Sequence, residues 1–242
     1  MVPKARVAAT QAGRALVRGT AIPLGWLWVL LASSVVHCGL SPEPARVRIG
    51  LYAEFQQPVA TAVRDVVHEE LAAIATPLGM VVDWRSTADA ERDQWRTAVV
   101  TVTFRGHCDA TEAAPRPSHP WIFGESYVRN GAVVPYGQIH CDPIRASLTP
   151  LLRSLDSKSR TAVFGRAVSR VLAHELYHIL AKTPIHGSDG IGKSFYSARE
   201  LAADAFPFRE PEIERLRLAL QPESPEPAIV DRAAACRLTD FK

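Results

Sequence analysis

The stretch His174-Glu175-Leu176-Tyr177-His178 holds the residue types and the spacing that metal-assisted hydrolysis needs. Residues four apart on a helix share a face, so His174 and His178 can present two imidazoles to one ion. Glu175 lies next to that face, where it can reach a water on the same ion and act as its general base. Zn²⁺ suits such a site, with three protein ligands and an open fourth position for water.

The motif requires a helix, and its surroundings supply one. Ser159 to Lys182 carries Val163, Phe164, Val168, Val171, Leu172, Leu176, Ile179 and Leu180 at helical spacing. Asp156, Ser157 and Ser159 are N-cap candidates before it. Pro184 ends it, because the residue before a proline avoids helical geometry. The plainer alternative is an amphipathic helix with two unrelated histidines, and the helical context weighs against it.

Residues 1–40 have the pattern of an export signal. Lys4, Arg6, Arg14 and Arg18 form an acid-free basic start, followed by an apolar run from Ala21 to Val36 and by small residues Ala32, Ser33 and Ser34 near its end. The run is short for a membrane span, which needs roughly 20 apolar residues. Cleavage is the expectation. A retained anchor is the alternative, and would be the chain's only membrane contact. Lipidation at Cys38 is a third option, against which His37 argues. Four of the 28 basic residues fall in this leader, leaving 24 against 25 acidic in the remainder. Nothing there offers the basic field that nucleic acid would need.

Residues 41–242 suit one domain with its own core. Arg46–Tyr52, Met80–Trp84 and Ala98–Arg105 read as strands. Trp121–Val128 and Val133–Cys141 read as a strand pair turned at Asn130-Gly131. Helices are expected over Pro58–Pro77, Ser197–Phe206, Pro211–Leu220 and Ala228–Cys236, and Pro115, Pro117 and Pro120 mark an irregular loop. The order implies an α+β domain, a mixed β-sheet packed on two main helices. The strand near Val133–Cys141 is expected to be the edge that lines a cleft.

Export permits disulfides. Cys108 and Cys141 occur in matching His-Cys-Asp contexts at strand ends, and a bridge between them would stabilise by roughly 2–4 kcal/mol. A second zinc site from the two His-Cys pairs is disfavoured, because adjacent strand residues point to opposite faces. Cys236 reads as an unpaired thiol. His140, Tyr136 and Tyr196 are candidate donors to an oxyanion, although the spacing of each fits an ordinary strand or loop residue better. His68, His107 and His119 have no ligand spacing.

The motif and the strand–helix order resemble the zincin metallopeptidases and, less closely, their metzincin branch. The chain is also similar to small secreted bacterial proteins in which HELxH is followed by a histidine and glycines. The metzincin pattern HExxHxxGxxH departs here: Ala181 stands at the glycine, Pro184 at the last position, and the next histidine is His186. That spacing would fit a longer helix with its turn delayed to Lys182–Pro184. No Met-turn is evident, the methionines being Met1 and Met80. Thermolysin-like peptidases instead take a glutamate from a downstream helix, often within ExxxD. Glu200-Leu201-Ala202-Ala203-Asp204 resembles that pattern, with Glu200 as ligand and Asp204 orienting a histidine, although two such acids also suit a solvated helix face.

Between the two, His186 is favoured. Pro184 turns the chain out of the helix, and Gly187, Gly190 and Gly192 permit a tight return. The sequence thus reads as an exported zincin-like peptidase of peptide or protein substrates. His174, His178 and His186 hold Zn²⁺, and Glu175 is the general base for the water on it. A non-catalytic binding protein and a membrane-anchored interaction module on the same scaffold are the alternatives.

Overall fold

The computed structural model describes residues 46–86, 98–110 and 122–221, all within the compact unit Pro42–Lys242. The expected leader with Cys38, the expected loop of Pro115, Pro117 and Pro120, His119, the expected helix Ala228–Cys236 and the Cys236 thiol fall outside the described residues.

The elements run β1 (Val47–Phe55), α1 (Thr61–Ala75), β2 (Met80–Arg85), β3 (Ala98–Arg105), β4 (Gly124–Arg129), β5 (Ala132–His140), α2 (Cys141–Leu152), α3 (Ser157–Leu180), α4 (Ala198–Ala202) and α5 (Glu210–Leu220). One mixed sheet has the order β2-β1-β3-β5-β4. β1 is parallel to β2 and β3, β3 is parallel to β5, and β4 alone is antiparallel to its neighbour. The class is α+β, as the strand and helix order implies.

Alternate strand residues build the core. Ile49, Leu51, Val100, Val102, Phe104 and Ile139 are fully buried, which is the period-two pattern of a sheet with one covered face. They share a cluster with Val63, Val67, Leu71 and Ala75 of α1 and with the apolar residues of α3. α3 starts at Asp156, whose carboxylate accepts from Ser159 N at 3.0 Å and from Ser159 Oγ at 2.6 Å. From Phe164 to Leu180 only Arg166 is not buried, because α1, α2, α4, α5, β3, β4 and β5 all pack on this helix. The motif therefore sits on the most enclosed element among the described residues.

Three expectations need correction. The cleft-lining edge is β4, not the Val133–Cys141 strand, which as β5 lies between β3 and β4. The hairpin turn at Asn130 and Gly131 forms with φ of 52° and 79°, and it folds β4 back onto the outer side of β5. Cys141 does not end a strand. It opens α2, a helix that periodicity within Cys141–Leu152 did not announce, since Pro143 and Pro150 interrupt the pattern. The helix expected to run to Phe206 stops at Ala202. Arg166 and Arg170 of α3 take the carbonyls of Glu200, Leu201, Ala202 and Ala203 at 2.9–3.1 Å, so those groups are satisfied without another turn.

Cys108 and Cys141 are bridged, with Cα atoms 5.0 Å apart. The bridge ties the segment after β3 to the start of α2. With both sulfurs joined, the two His-Cys pairs form no metal site. Among the described residues, no helix is long and apolar enough to cross a membrane.

Candidate metal centre

The end of α3 makes the site. Lys182 adopts a left-handed φ of 50°, Lys182 N bonds Ile179 O at 3.4 Å and Thr183 N bonds His178 O at 3.1 Å. This is a Schellman stop, two residues before Pro184, and it is the delayed turn that the altered spacing suggested. It swings the Thr183 carbonyl back onto the helix, 2.7 Å from His178 Nδ1. His174 Nδ1 lies 2.7 Å from the Ile191 carbonyl.

A carbonyl oxygen only accepts, so both Nδ1 atoms carry the proton. Burial lowers the pKa of His174 to about 3 and also lowers His178 and His186, so the rings are neutral near pH 7. The lone pairs then sit on Nε2. His178 Nε2 is 3.0 Å from His174 Nε2 and 3.2 Å from His186 Nε2. The first pair has no proton to share, and two lone pairs at that distance repel unless a cation lies between them. Nitrogens sharing a tetrahedral Zn²⁺ at roughly 2.0–2.1 Å would stand about 3.3 Å apart. The donor set fits zinc, and backbone carbonyls hold two of its rings in the required tautomer.

Glu175 is buried beside this cluster. Its carboxylate presses on the first residue of β4: a Cβ on Gly124 would stand 2.6 Å from Glu175 Oε1. Only glycine allows that approach. Burial pushes the Glu175 carboxyl up to about 7, with a Ser126 hydrogen bond opposing and the Glu125 charge adding. His174, Glu175, His178 and His186 open onto a cleft of about 550 Å³ whose far wall is β4. Among the described residues, His174, His178 and His186 are the group whose donor atoms converge within 4.8 Å.

The chain matches no family model and no curated protein sequence. Archaemetzincin from Methanopyrus kandleri is a solved structure to which it is similar, at 16% identity and a TM-score of 0.43, over 76% of this chain and 100% of that one.

The other candidates are not among the converging donors. Glu200 caps α4 in a reciprocal box with Ser197 and pairs with Lys193, so its carboxylate is engaged away from the imidazoles. Asp204 is exposed and holds Arg166 at 3.0 Å. His140 pairs with Glu125 at 3.1 Å, and the Tyr136 hydroxyl bonds Thr103 of the neighbouring β3 and accepts from Gln138 of its own strand. The Tyr196 hydroxyl bonds the Ile191 carbonyl and lies 2.6 Å from His174 Nδ1, so it buttresses that ring, and Tyr196 also lines the cleft. His68 stacks on Trp84 at 4.0 Å, and the His107 ring is half exposed beside Asp142. Sequence reasoning missed Gly124 and the Thr183 and Ile191 carbonyls. Only the left-handed Lys182 and the distant Ile191 bring those carbonyls into place, and neither has a side-chain signature.

Proposed function

We propose that the chain is an exported zinc-dependent metallopeptidase. The observation that carries this reading is the convergence of three neutral imidazoles beside a buried carboxylate in a cleft walled by a sheet edge. His174, His178 and His186 would hold the zinc, which when bound would supply Lewis acidity toward a water and a substrate carbonyl. Glu175 Oε takes the proton of the attacking water and returns it to the leaving amine. Its raised pKa suits a group that must both accept and give a proton near neutrality. Among the described residues β4 is an edge strand, which an extended peptide can match by main-chain hydrogen bonds. Half-exposed Ile122, Tyr127, Val128 and Phe195 line the same cleft, which suits apolar side chains of the substrate. The leader of residues 1–40 and the Cys108–Cys141 bridge support an oxidising, extracytoplasmic location.

The test is Glu175→Ala. Zinc content and fold should be retained while peptide hydrolysis falls by about three orders of magnitude or more. Hydrolysis at an undiminished rate in that variant would contradict the mechanism.

A further inference from the structure

Both neighbours of His186 meet buried side chains from different helices, Ile185 through a hydrogen bond and Gly187 through close packing. Tyr177, inside the motif on α3, is 1% exposed and donates its hydroxyl to the Ile185 carbonyl at 3.0 Å. Glu212 of α5 is also 1% exposed and lies against Gly187 and Gly192. A Cβ on Gly187 would stand 2.5 Å from Glu212 Oε1, and one on Gly192 2.8 Å from Glu212 Cδ. Gly187 N donates to Gly192 O at 2.7 Å, so the loop closes around the carboxylate. Arg215 joins the two holders, 3.3 Å from the Tyr177 hydroxyl and 3.5 Å from Glu212 Oε1. Arg209 N donates to Glu212 Oε2 at 3.2 Å.

Neither Tyr177 nor Glu212 lines the cleft, and the hydrolytic chemistry uses neither. Burying a hydroxyl and a carboxylate is costly unless each finds partners. Here the Tyr177 hydroxyl finds its acceptor in the loop that carries His186, and the Glu212 carboxylate accepts from Arg209 N and Arg215 while packing against that loop. His186 itself is exposed and lies beyond the helix end, so unlike His174 and His178 it has no helix of its own to fix it. A loop ligand left unsupported must lose conformational freedom when metal binds, and that loss weakens affinity.

We propose that Tyr177, Arg215 and Glu212 form a clamp that sets the position of His186. They are positioning residues: they act through the peptide units on either side of the histidine, not on metal or substrate. The proposal rests on His186 being the third ligand. It also explains two glycines flanking a loop whose own turn needs are modest, since any side chain at Gly187 or Gly192 would displace Glu212.

Zinc affinity of the full chain, measured by chelator competition, tests the clamp as a double-mutant cycle. Tyr177→Phe should weaken zinc binding about fivefold, the worth of one net hydrogen bond. Combined with His186→Ala, it should add less than about twofold, because the ligand it positions is gone. Glu212→Gln, which keeps the side-chain volume, should behave the same way. Cobalt-substituted Tyr177→Phe should show an altered visible spectrum, a readout that loss of stability alone would not move. Equal losses with and without His186, or no loss in either single variant, would overturn the clamp. Wild-type affinity in His186→Ala alone would instead overturn the ligand reading on which it rests.

Discussion

His174 Nε2 and His178 Nε2 lie 3.0 Å apart, and neither carries a proton, because each ring has already given its Nδ1 hydrogen to a backbone carbonyl. The contact is unfavourable as it stands and favourable around a cation. The fold holds the two rings in this arrangement through the Schellman stop at Lys182 and the return of the loop to Ile191, so the pair is preorganised as a ligand set.

Gly124 links the edge strand to the general base. Gly124→Ala would place a methyl 2.6 Å from Glu175 Oε1 and 2.9 Å from Val171 Cγ1. Displacing the carboxylate should lower kcat roughly 10–100-fold, since misplacement of a catalytic group by about 1 Å has that effect. Zinc affinity should stay within about threefold of wild type, as no ligand is touched. Steady-state kinetics with zinc titration checks both.

The Cys108–Cys141 bridge closes a loop with a sequence separation of 33. Non-reducing peptide mapping should recover the pair as one linked species. The double Cys→Ala variant should lose roughly 2–4 kcal/mol of stability in denaturant unfolding. Free thiols at both positions after oxidative folding would contradict the pairing.

Glu200 discriminates the two ligand patterns that the sequence resembles. Its pKa is depressed to about 2, first by the Lys193 ion pair and also by the Ser197 bonds. A depressed carboxylate contributes stability above its unfolded pKa near 4.5, and that contribution is lost as pH falls through the folded value. Glu200→Gln should therefore be less stable than wild type at pH 6, with the difference shrinking as pH falls from about 4.5 toward 2. Its zinc affinity should be unchanged within about twofold. Thermal unfolding across pH, with zinc titration of the same variant, reads both. A tenfold loss of zinc affinity would make Glu200 the ligand.

The helix over Ser157–Leu180 and the turn at Asn130-Gly131 were legible because local patterns determine them: apolar periodicity, a capping aspartate, and two residues that tolerate positive φ. The convergence of His174 and His178 followed from helical spacing alone. Long-range partners decided the rest. The extent of α4 depends on arginines 30 or more residues away in sequence. The edge position of β4 depends on β5 pairing with β3. The spacing of His186 could not fix its place, because the loop from Lys182 to Tyr196 takes its course from Glu212, Pro207 and Tyr177. α2 went unread because prolines within it mask a helical pattern.

Three imidazoles of this chain are expected to bind one zinc and leave a position open. X-ray absorption on the purified, zinc-loaded full chain tests it most directly. One zinc per chain is expected, with three nitrogen neighbours at roughly 2.0–2.1 Å and one oxygen, and with one nitrogen fewer in His186→Ala. A chain that takes up no stoichiometric zinc, or a zinc shell of two nitrogens with a carboxylate that persists unchanged in His186→Ala, would contradict it.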